Sequence, residues 1–218
     1  MKGLLVKDFK LVKLQKNFFF MIIAVAVGVT IINDDATFML SFLTFVMSMF
    51  TLSTISYDEF DNGNAFLFTL PVSRKSYVVE KYVFSFLLGG GSWVLAVLFA
   101  VVFSIIQGTV SVLEVVMAAV VIFMIMLMVQ AAMIPFQLKF GGEKGRIAMV
   151  GAVGILFIIG FVAVKIAEGL GIDLLNVGIG SLSTVNMGMA VAIAIAVDAV
   201  VLLVSMKISI SIMDRKEF

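Results

Sequence analysis

The stretch YVFSFLLGGGSWVLAVLFAVVFSII, Tyr82–Ile106, decides the fold class. It holds 25 residues without a charged side chain, and about 20 predominantly apolar residues are enough for a helix to cross the hydrocarbon core of a bilayer. The rest of the chain has the same character, with 62% hydrophobic and 13% charged residues. A soluble domain is roughly half apolar and a quarter charged. We therefore predict an all-α integral membrane protein.

Six segments of this kind divide the chain. The first is short, and we expect the lysines before it to reach the interface. Because no small-x-small cleavage pattern follows it, we interpret it as an uncleaved span rather than a signal peptide. We find no internal repeat and no linker, so residues 1–218 are predicted to form a single transmembrane domain. The predicted spans are Phe18–Ile32, Thr37–Ser56, Tyr82–Ile106, Val115–Phe136, Ile147–Val164 and Met187–Met206.

The lysines and arginines set the orientation, because cytoplasmic loops carry an excess of them. With six spans and both termini in the cytoplasm, only Lys165 of the 15 basic residues lies outside. With one span more or fewer, the lysines and arginines would no longer be concentrated on the cytoplasmic side. The sequence therefore predicts six transmembrane helices with both termini cytoplasmic.

Two segments outside the spans have a membrane-facing character. Residues 2–16 place five lysines on about half of a helical wheel and leucines and valines opposite, although Asp8 falls on the apolar side. This pattern predicts an N-terminal interfacial helix on the inner membrane surface, and the alternative is a basic terminus that only fixes topology. The apolar outer segment 165–186, interrupted by glycines, is predicted to lie in the interface or to re-enter it. Gly89–Gly91 allow a close helix approach or a kink, and ordinary packing is favoured.

Residues 57–73, between the second and third spans, form a charge-dense connection. The string DNGN at 61–64 is a turn signal, Pro71 ends the apolar piece that follows, and Ser73 is predicted to cap the next helix. Aromatic anchors beside charged residues suit a helix that docks in a partner's groove. The alternative is a loop packed on the protein's own surface. The predicted partner contacts are Tyr57, Asp58, Glu59, Phe60, Phe66, Leu70, Pro71 and Arg74.

The pattern SYDE…NG…FTLPVSRKSYVVEKY, within Ser56–Tyr82, resembles the ABC-2-type transporter permeases. It is most similar to the small bacterial branch that includes the permeases of phenol-soluble modulin exporters. The resemblance covers the whole chain in layout and is specific mainly at Leu70–Lys75, with Lys81 following. It implies that residues 57–73 carry a cytoplasmic coupling helix, which seats in a groove of a separate ATPase subunit.

The resemblance also implies the assembly and the cargo. The family has an interfacial N-terminal helix and a partly re-entrant segment, which residues 2–16 and 165–186 resemble. It works in a bacterial cytoplasmic membrane as two permeases, identical or paralogous, with two ATPase subunits. The implied function is export of a hydrophobic or amphipathic substrate, such as a peptide, or else a lipid or drug; nucleic acid is not an expected partner.

No catalytic or cofactor site is predicted in this chain. A phosphate loop of the form G-x-x-x-x-G-K-[ST] is absent, and the nearest string, GGEKGR at 141–146, has the wrong spacing. ATP and Mg are therefore expected on the partner ATPase. With no His and no Cys, and one carboxylate in mid-span, the sequence offers no catalytic pair and no metal site, so we do not expect an enzyme.

One carboxylic acid, one carboxamide and one proline lie within the predicted spans. An ionised carboxylate at Asp198 would cost several kcal/mol in lipid, so we expect it to face the bundle interior or water, or to be protonated. Helix pairing is favoured over a substrate or proton role, and Gln130 is a candidate partner. Pro135 is predicted to kink or end its helix. Two further functions stay open: a secondary transporter that uses Asp198, and a non-transporting sensor or immunity scaffold.

Overall fold

The computed structural model describes residues 2–108, 111–141 and 187–217. Every regular element in these ranges is helical. The predicted fifth span and the outer segment 165–186 lie outside the described residues. The helices are α1 (Lys2–Leu14), α2 (Lys16–Asn33), α3 (Ala36–Glu59), a 3-10 turn (Phe60–Asn62), α4 (Gly63–Leu67), α5 (Arg74–Gln107), α6 (Val112–Phe140) and α7 (Met187–Asp214).

Five stretches of the described chain are long and apolar enough to cross a membrane. They are α2, α3 together with α4, α5, α6, and the Val191–Asp214 part of α7. They coincide with five of the predicted spans and confirm a multi-pass membrane protein whose described part is all helical. The fifth predicted span, and with it the count of six, stays a prediction. At 1.5 Å per residue α5 is about 51 Å long, whereas the hydrocarbon core is about 30 Å thick. Part of α5 therefore extends beyond that core.

Side-chain oxygens start three of the helices. Asp35 accepts a hydrogen bond from the Thr37 amide at 2.8 Å, and the Ser73 hydroxyl accepts one from the Ser76 amide at 3.2 Å. Ser111 accepts one from the amide of Glu114, three residues on, at 3.3 Å. Each cap satisfies an amide that the first helical turn leaves without a partner. The cap predicted at Ser73 is confirmed.

Helix α3 lies at the centre of the bundle and packs against α2, α5 and α6, while α7 packs against α5 and α6. Among its three consecutive glycines, α5 approaches its neighbours most closely at Gly89. A Cβ atom there would lie 2.9 Å from Ser48 Cβ and 3.1 Å from Met126 Cε. At Gly90 the nearest atom would be 3.8 Å away, and at Gly91 nothing lies within 4 Å. The predicted close approach is therefore confirmed at Gly89 alone, and α5 continues through all three glycines.

Pro135 does not end α6, which continues to Phe140, so a helix end at this proline is wrong. Because proline has no N–H, the Ala131 carbonyl four residues earlier lacks its usual donor within the helix. The Ser205 hydroxyl of α7 donates to that carbonyl instead. Ser205 Oγ also lies 2.6 Å from the Tyr82 hydroxyl of α5. The proline thus frees an acceptor through which α5, α6 and α7 are joined, and this explains why the helix tolerates it.

Candidate coupling surface and the ion cluster behind it

The connection between α3 and α5 begins with a tight turn. Asp61 and Asn62 both have left-handed backbone angles, with φ of 48° and 59°, a conformation that Asp and Asn tolerate better than other residues with side chains. Gly63 follows, and a Cβ atom there would lie 2.8 Å from the Asp58 carbonyl oxygen. No larger residue fits without a shift of the backbone. The turn predicted at 61–64 is confirmed.

Five of the eight predicted partner contacts have exposed side chains. Phe60 and Phe66 are 73% and 71% exposed, and Tyr57 and Leu70 are about half exposed. Large apolar side chains that a turn leaves uncovered are typical of a surface that a partner covers. We call this set the coupling surface: Tyr57, Phe60, Phe66, Leu70 and Pro71.

The other three predicted contacts point into the protein. Glu59 Oε1 accepts a hydrogen bond from Lys216 Nζ at 2.6 Å. Arg74 Nη1 donates to the carbonyl oxygens of Met213 and Asp214 at the end of α7, at 3.0 and 2.6 Å. Asp58 is also bound within the chain, as described next. For these three side chains the structure matches the alternative of packing on the protein's own surface, and they fix the connection to the bundle.

Asp58 belongs to a buried group of charges centred on Lys81. The Lys81 side chain is fully buried, and its Nζ lies 2.5 Å from Asp8 Oδ2 of α1 and 2.9 Å from Asp58 Oδ2 of α3. It also donates to Thr54 Oγ1 at 3.1 Å. Two carboxylates and a hydroxyl thus surround one ammonium group. Such a buried charge is tolerable only when its partners are well placed, because removing it from water costs several kcal/mol.

Lys7 and Glu80 complete this group. Lys7 Nζ bonds to Asp58 and lies 3.2 Å from Asp8. Glu80 is fully buried, lies 3.7 Å from Lys81, and accepts no hydrogen bond on either oxygen from a described residue. We call the five charged residues Lys7, Asp8, Asp58, Glu80 and Lys81 the ion cluster. It joins α1, α3 and α5 directly behind the coupling surface.

The ion cluster explains the one acidic residue on the apolar side of α1. Leu4 is buried and Leu11 and Val12 pack against the core, which confirms the predicted apolar side. Asp8 lies on the same side, where its carboxylate accepts a hydrogen bond from the buried ammonium group of Lys81, 73 residues later. An acid on an otherwise apolar helix face indicates a buried cationic partner. The sequence carried that signal but did not identify the partner.

Asp198 and Gln130 are both buried, at 3% and 2% exposure. The structure does not join them: the Asp198 oxygens and the Gln130 amide have no hydrogen-bond partner among the described residues. In the described ranges no group of three or more Asp and Glu is placed to hold a metal ion. Among the described residues, the buried ion pairs are those of the ion cluster, next to the coupling surface.

Comparison with known protein families identifies the kind of protein. The family described as "ABC-2 family transporter protein" matches residues 3–214, nearly the whole chain. The chain belongs to this family. The family indicates an ABC-2 permease, the multi-pass membrane subunit of an ABC transporter, and such permeases generally work with an ATPase partner. No curated protein and no solved structure matches this ABC-2 permease.

Proposed function

We propose that this ABC-2 permease is the transmembrane subunit of an ATP-driven exporter and that its coupling surface docks on a separate ATPase subunit. The observation that carries the proposal is the exposure of Phe60 and Phe66, 73% and 71%, on a connection whose flanking residues are held by ion pairs. Exposed aromatic anchors supply affinity for a groove. Because the residues beside these aromatic side chains are held by ion pairs, the connection moves together with the helices that it joins. A loosely attached connection could move without them.

The ion cluster supplies the route by which this connection acts on the bundle. Asp58 follows directly on Tyr57 of the coupling surface and is bonded to Lys81 of α5 and Lys7 of α1. A displacement of the connection therefore moves the ends of α1, α3 and α5 together. In this proposal the connection and both termini lie in the cytoplasm, where the ATPase binds ATP and Mg and this chain binds neither.

The cargo of the proposed exporter is a hydrophobic or amphipathic peptide, with a lipid or a drug as the alternative cargo. It would pass between two permease copies, or between this chain and a paralogue, with two ATPase subunits in a bacterial cytoplasmic membrane. The resemblance at Leu70–Lys75 to exporter permeases supports this assignment, as do the outward apolar side chains of α5, such as Leu95 and Leu98.

The docking proposal is tested by co-expressing the permease with a candidate phosphate-loop ATPase from the same genome. In the Phe60→Ala/Phe66→Ala variant we expect co-purification and permease-dependent ATP hydrolysis to fall at least roughly tenfold, because central aromatic anchors dominate docking energies. The matched control is Phe38→Ala, a 37% exposed phenylalanine at the opposite end of α3. Unchanged binding and hydrolysis in the double variant would contradict the docking.

A non-transporting scaffold would bind the ATPase but move no cargo. Peptide export from proteoliposomes therefore distinguishes an exporter from such a scaffold.

One observation favours a second candidate, a secondary transporter. Asp198 is buried in α7, and neither carboxyl oxygen has a hydrogen-bond partner among the described residues; an intramembrane acid of this kind is suited to a coupling ion. In that case an ion gradient would drive transport without ATP, and Asp198→Asn would abolish it. If transport requires ATP and continues in the Asp198→Asn variant, the protein is the ATP-driven exporter and not a secondary transporter.

A further inference from the structure

An apolar groove of about 390 Å³ runs between α2 and α5. Met47 of α3 forms part of its floor. The groove is open to the side, since Phe20 and Leu95 on its edges are 69% and 65% exposed. Its apolar walls are Phe19, Phe20 and Ile23 of α2 and Leu87, Leu88 and Leu95 of α5.

Two lysines lie at one end of the groove and carry uncompensated charge. Lys13 is in the last turn of α1 and Lys16 begins α2, and both are exposed. Neither has an ion-pair partner among the described residues, and no Asp or Glu lines the groove. In contrast, the ammonium groups of Lys7 and Lys81 are matched by carboxylates in the ion cluster. The groove therefore presents positive charge at one end and hydrocarbon along its length.

The first turn of α2 strengthens this positive end. No side chain caps the helix at Gln15, so the first backbone N–H groups of α2 add their partial positive charge to that of Lys16. The only uncharged polar side chain in the lining is Ser92, and its hydroxyl already donates to the Gly89 carbonyl at 2.8 Å. A ligand in the groove would thus find one end that attracts an anion. No other polar group of the lining would need a hydrogen bond from the ligand.

We propose that this groove binds one acyl chain of an anionic phospholipid, with the lipid phosphate on Lys13 and Lys16. Basic pockets between membrane helices favour anionic head groups, and apolar walls within a bilayer favour an acyl chain over water. The wall on α5 runs from Leu87 to Leu95, a rise of eight residue steps or about 12 Å, close to the roughly 15 Å depth of one leaflet's hydrocarbon. That the lipid comes from the cytoplasmic leaflet rests on the orientation in the proposed function.

The shape of the groove offers a way to close it without touching the lysines. A Cβ atom on Gly91, which lines the groove, would meet nothing within 4 Å. A leucine at this position therefore occupies the space of the acyl chain. Gly28 of α2 is equally open but does not line the groove, so Gly28→Leu is the matched control. For the charges, Lys2→Gln/Lys10→Gln removes two exposed lysines of α1 that do not line it.

The experiment is native mass spectrometry of the full chain in detergent during titration with dioleoylphosphatidylglycerol. Dioleoylphosphatidylcholine has the same acyl chains without net charge, and glycerol 3-phosphate is a soluble phosphate without chains. We expect the first anionic lipid to bind at least roughly tenfold more tightly than the zwitterionic one. Lys13→Gln/Lys16→Gln should abolish this preference, Gly91→Leu should weaken binding of both lipids, and the two control variants should bind like the original chain.

Four results would overturn the assignment. They are an equal loss of preference in Lys2→Gln/Lys10→Gln, unchanged lipid binding in Gly91→Leu, displacement of the lipid by glycerol 3-phosphate, and loss of dimer mass in Gly91→Leu with an unchanged lipid count. The last result would show that a second copy of the chain covers the groove. The Phe60→Ala/Phe66→Ala variant should keep its lipid, so failure of the docking proposal and failure of this one are distinguishable.

Discussion

Helices α3 and α5 contact each other in two places, through ion pairs in one and through close steric packing in the other. Next to the connection between them, the contact is ionic: Lys81 of α5 is fully buried between Asp58 of α3 and Asp8 of α1. Eight residues further along α5, the contact is steric, with Gly89 against the Cβ atom of Ser48. The first depends on partners of opposite charge and the second on the absence of a side chain. The same pair of helices is thus held at one end by electrostatics and deeper in the bundle by shape.

Removing the central charge should have the largest effect. Lys81→Met removes the fully buried cation that Asp8 and Asp58 share and leaves only the partly exposed Lys7 to pair with them, which costs roughly 3–5 kcal/mol of stability. Thermal unfolding of the purified protein in detergent measures this loss. The matched control is Lys75→Met, because Lys75 is exposed and has no ion-pair partner among the described residues. Equal thermal unfolding midpoints for Lys81→Met and Lys75→Met would show that the ion cluster does not stabilise the bundle. Restoring charge balance with Asp8→Asn in addition should recover part of the loss.

Adding one methyl group at the steric contact should have an intermediate effect. A Cβ at Gly89 would lie 2.9 Å from Ser48 Cβ, an atom fixed to the backbone of α3, so the helices must separate. We expect Gly89→Ala to cost roughly 1–3 kcal/mol, as overpacking of a tight core does. Gly90→Ala and Gly91→Ala are the controls, since their Cβ atoms would meet nothing closer than 3.8 Å. If all three variants unfold at the same temperature, the close approach at Gly89 is not a constraint.

The smallest of the three effects is expected where neutral hydrogen bonds join the helices. Ser205→Ala removes the donor to the Ala131 carbonyl that Pro135 leaves open, together with a contact to Tyr82. Hydrogen bonds between membrane helices contribute roughly 0.6–1.7 kcal/mol, so the unfolding midpoint should fall less than in Gly89→Ala. In Pro135→Ala/Ser205→Ala the α6 backbone can supply its own donor, and part of the loss should return. A loss as large as that of Lys81→Met would contradict this ranking.

The parts of the fold that the sequence predicted correctly are encoded over short distances. The Ser73 cap depends on an amide three residues away, and the turn at 61–64 depends on residues that tolerate left-handed angles. The five confirmed spans depend only on apolar length. Each of these features is set by the local chain, so no knowledge of the neighbouring helices is needed to predict it.

The parts that the sequence did not predict depend on distant partners. Asp58 and Glu59 have the composition of a docking rim, but Lys81 and Lys216 bind them within the chain. Pro135 was expected to kink or end its helix; the helix continues, and the carbonyl of Ala131 that the proline leaves free accepts from Ser205, 74 residues later. Only packing brings these groups together. The five exposed contacts of the eight predicted, by contrast, follow from apolar side chains on a connection too short to cover them.

The most direct test of the account is a crosslink between the coupling surface and the ATPase. The chain contains no cysteine, so Phe66→Cys introduces a single thiol on the coupling surface, and Phe38→Cys introduces one at the far end of α3. With the co-expressed ATPase and a reagent that joins a thiol to a lysine amine, the account predicts a permease–ATPase adduct from Phe66→Cys and none from Phe38→Cys. No adduct from Phe66→Cys in a complex that still co-purifies, or equal adducts from both variants, would contradict it.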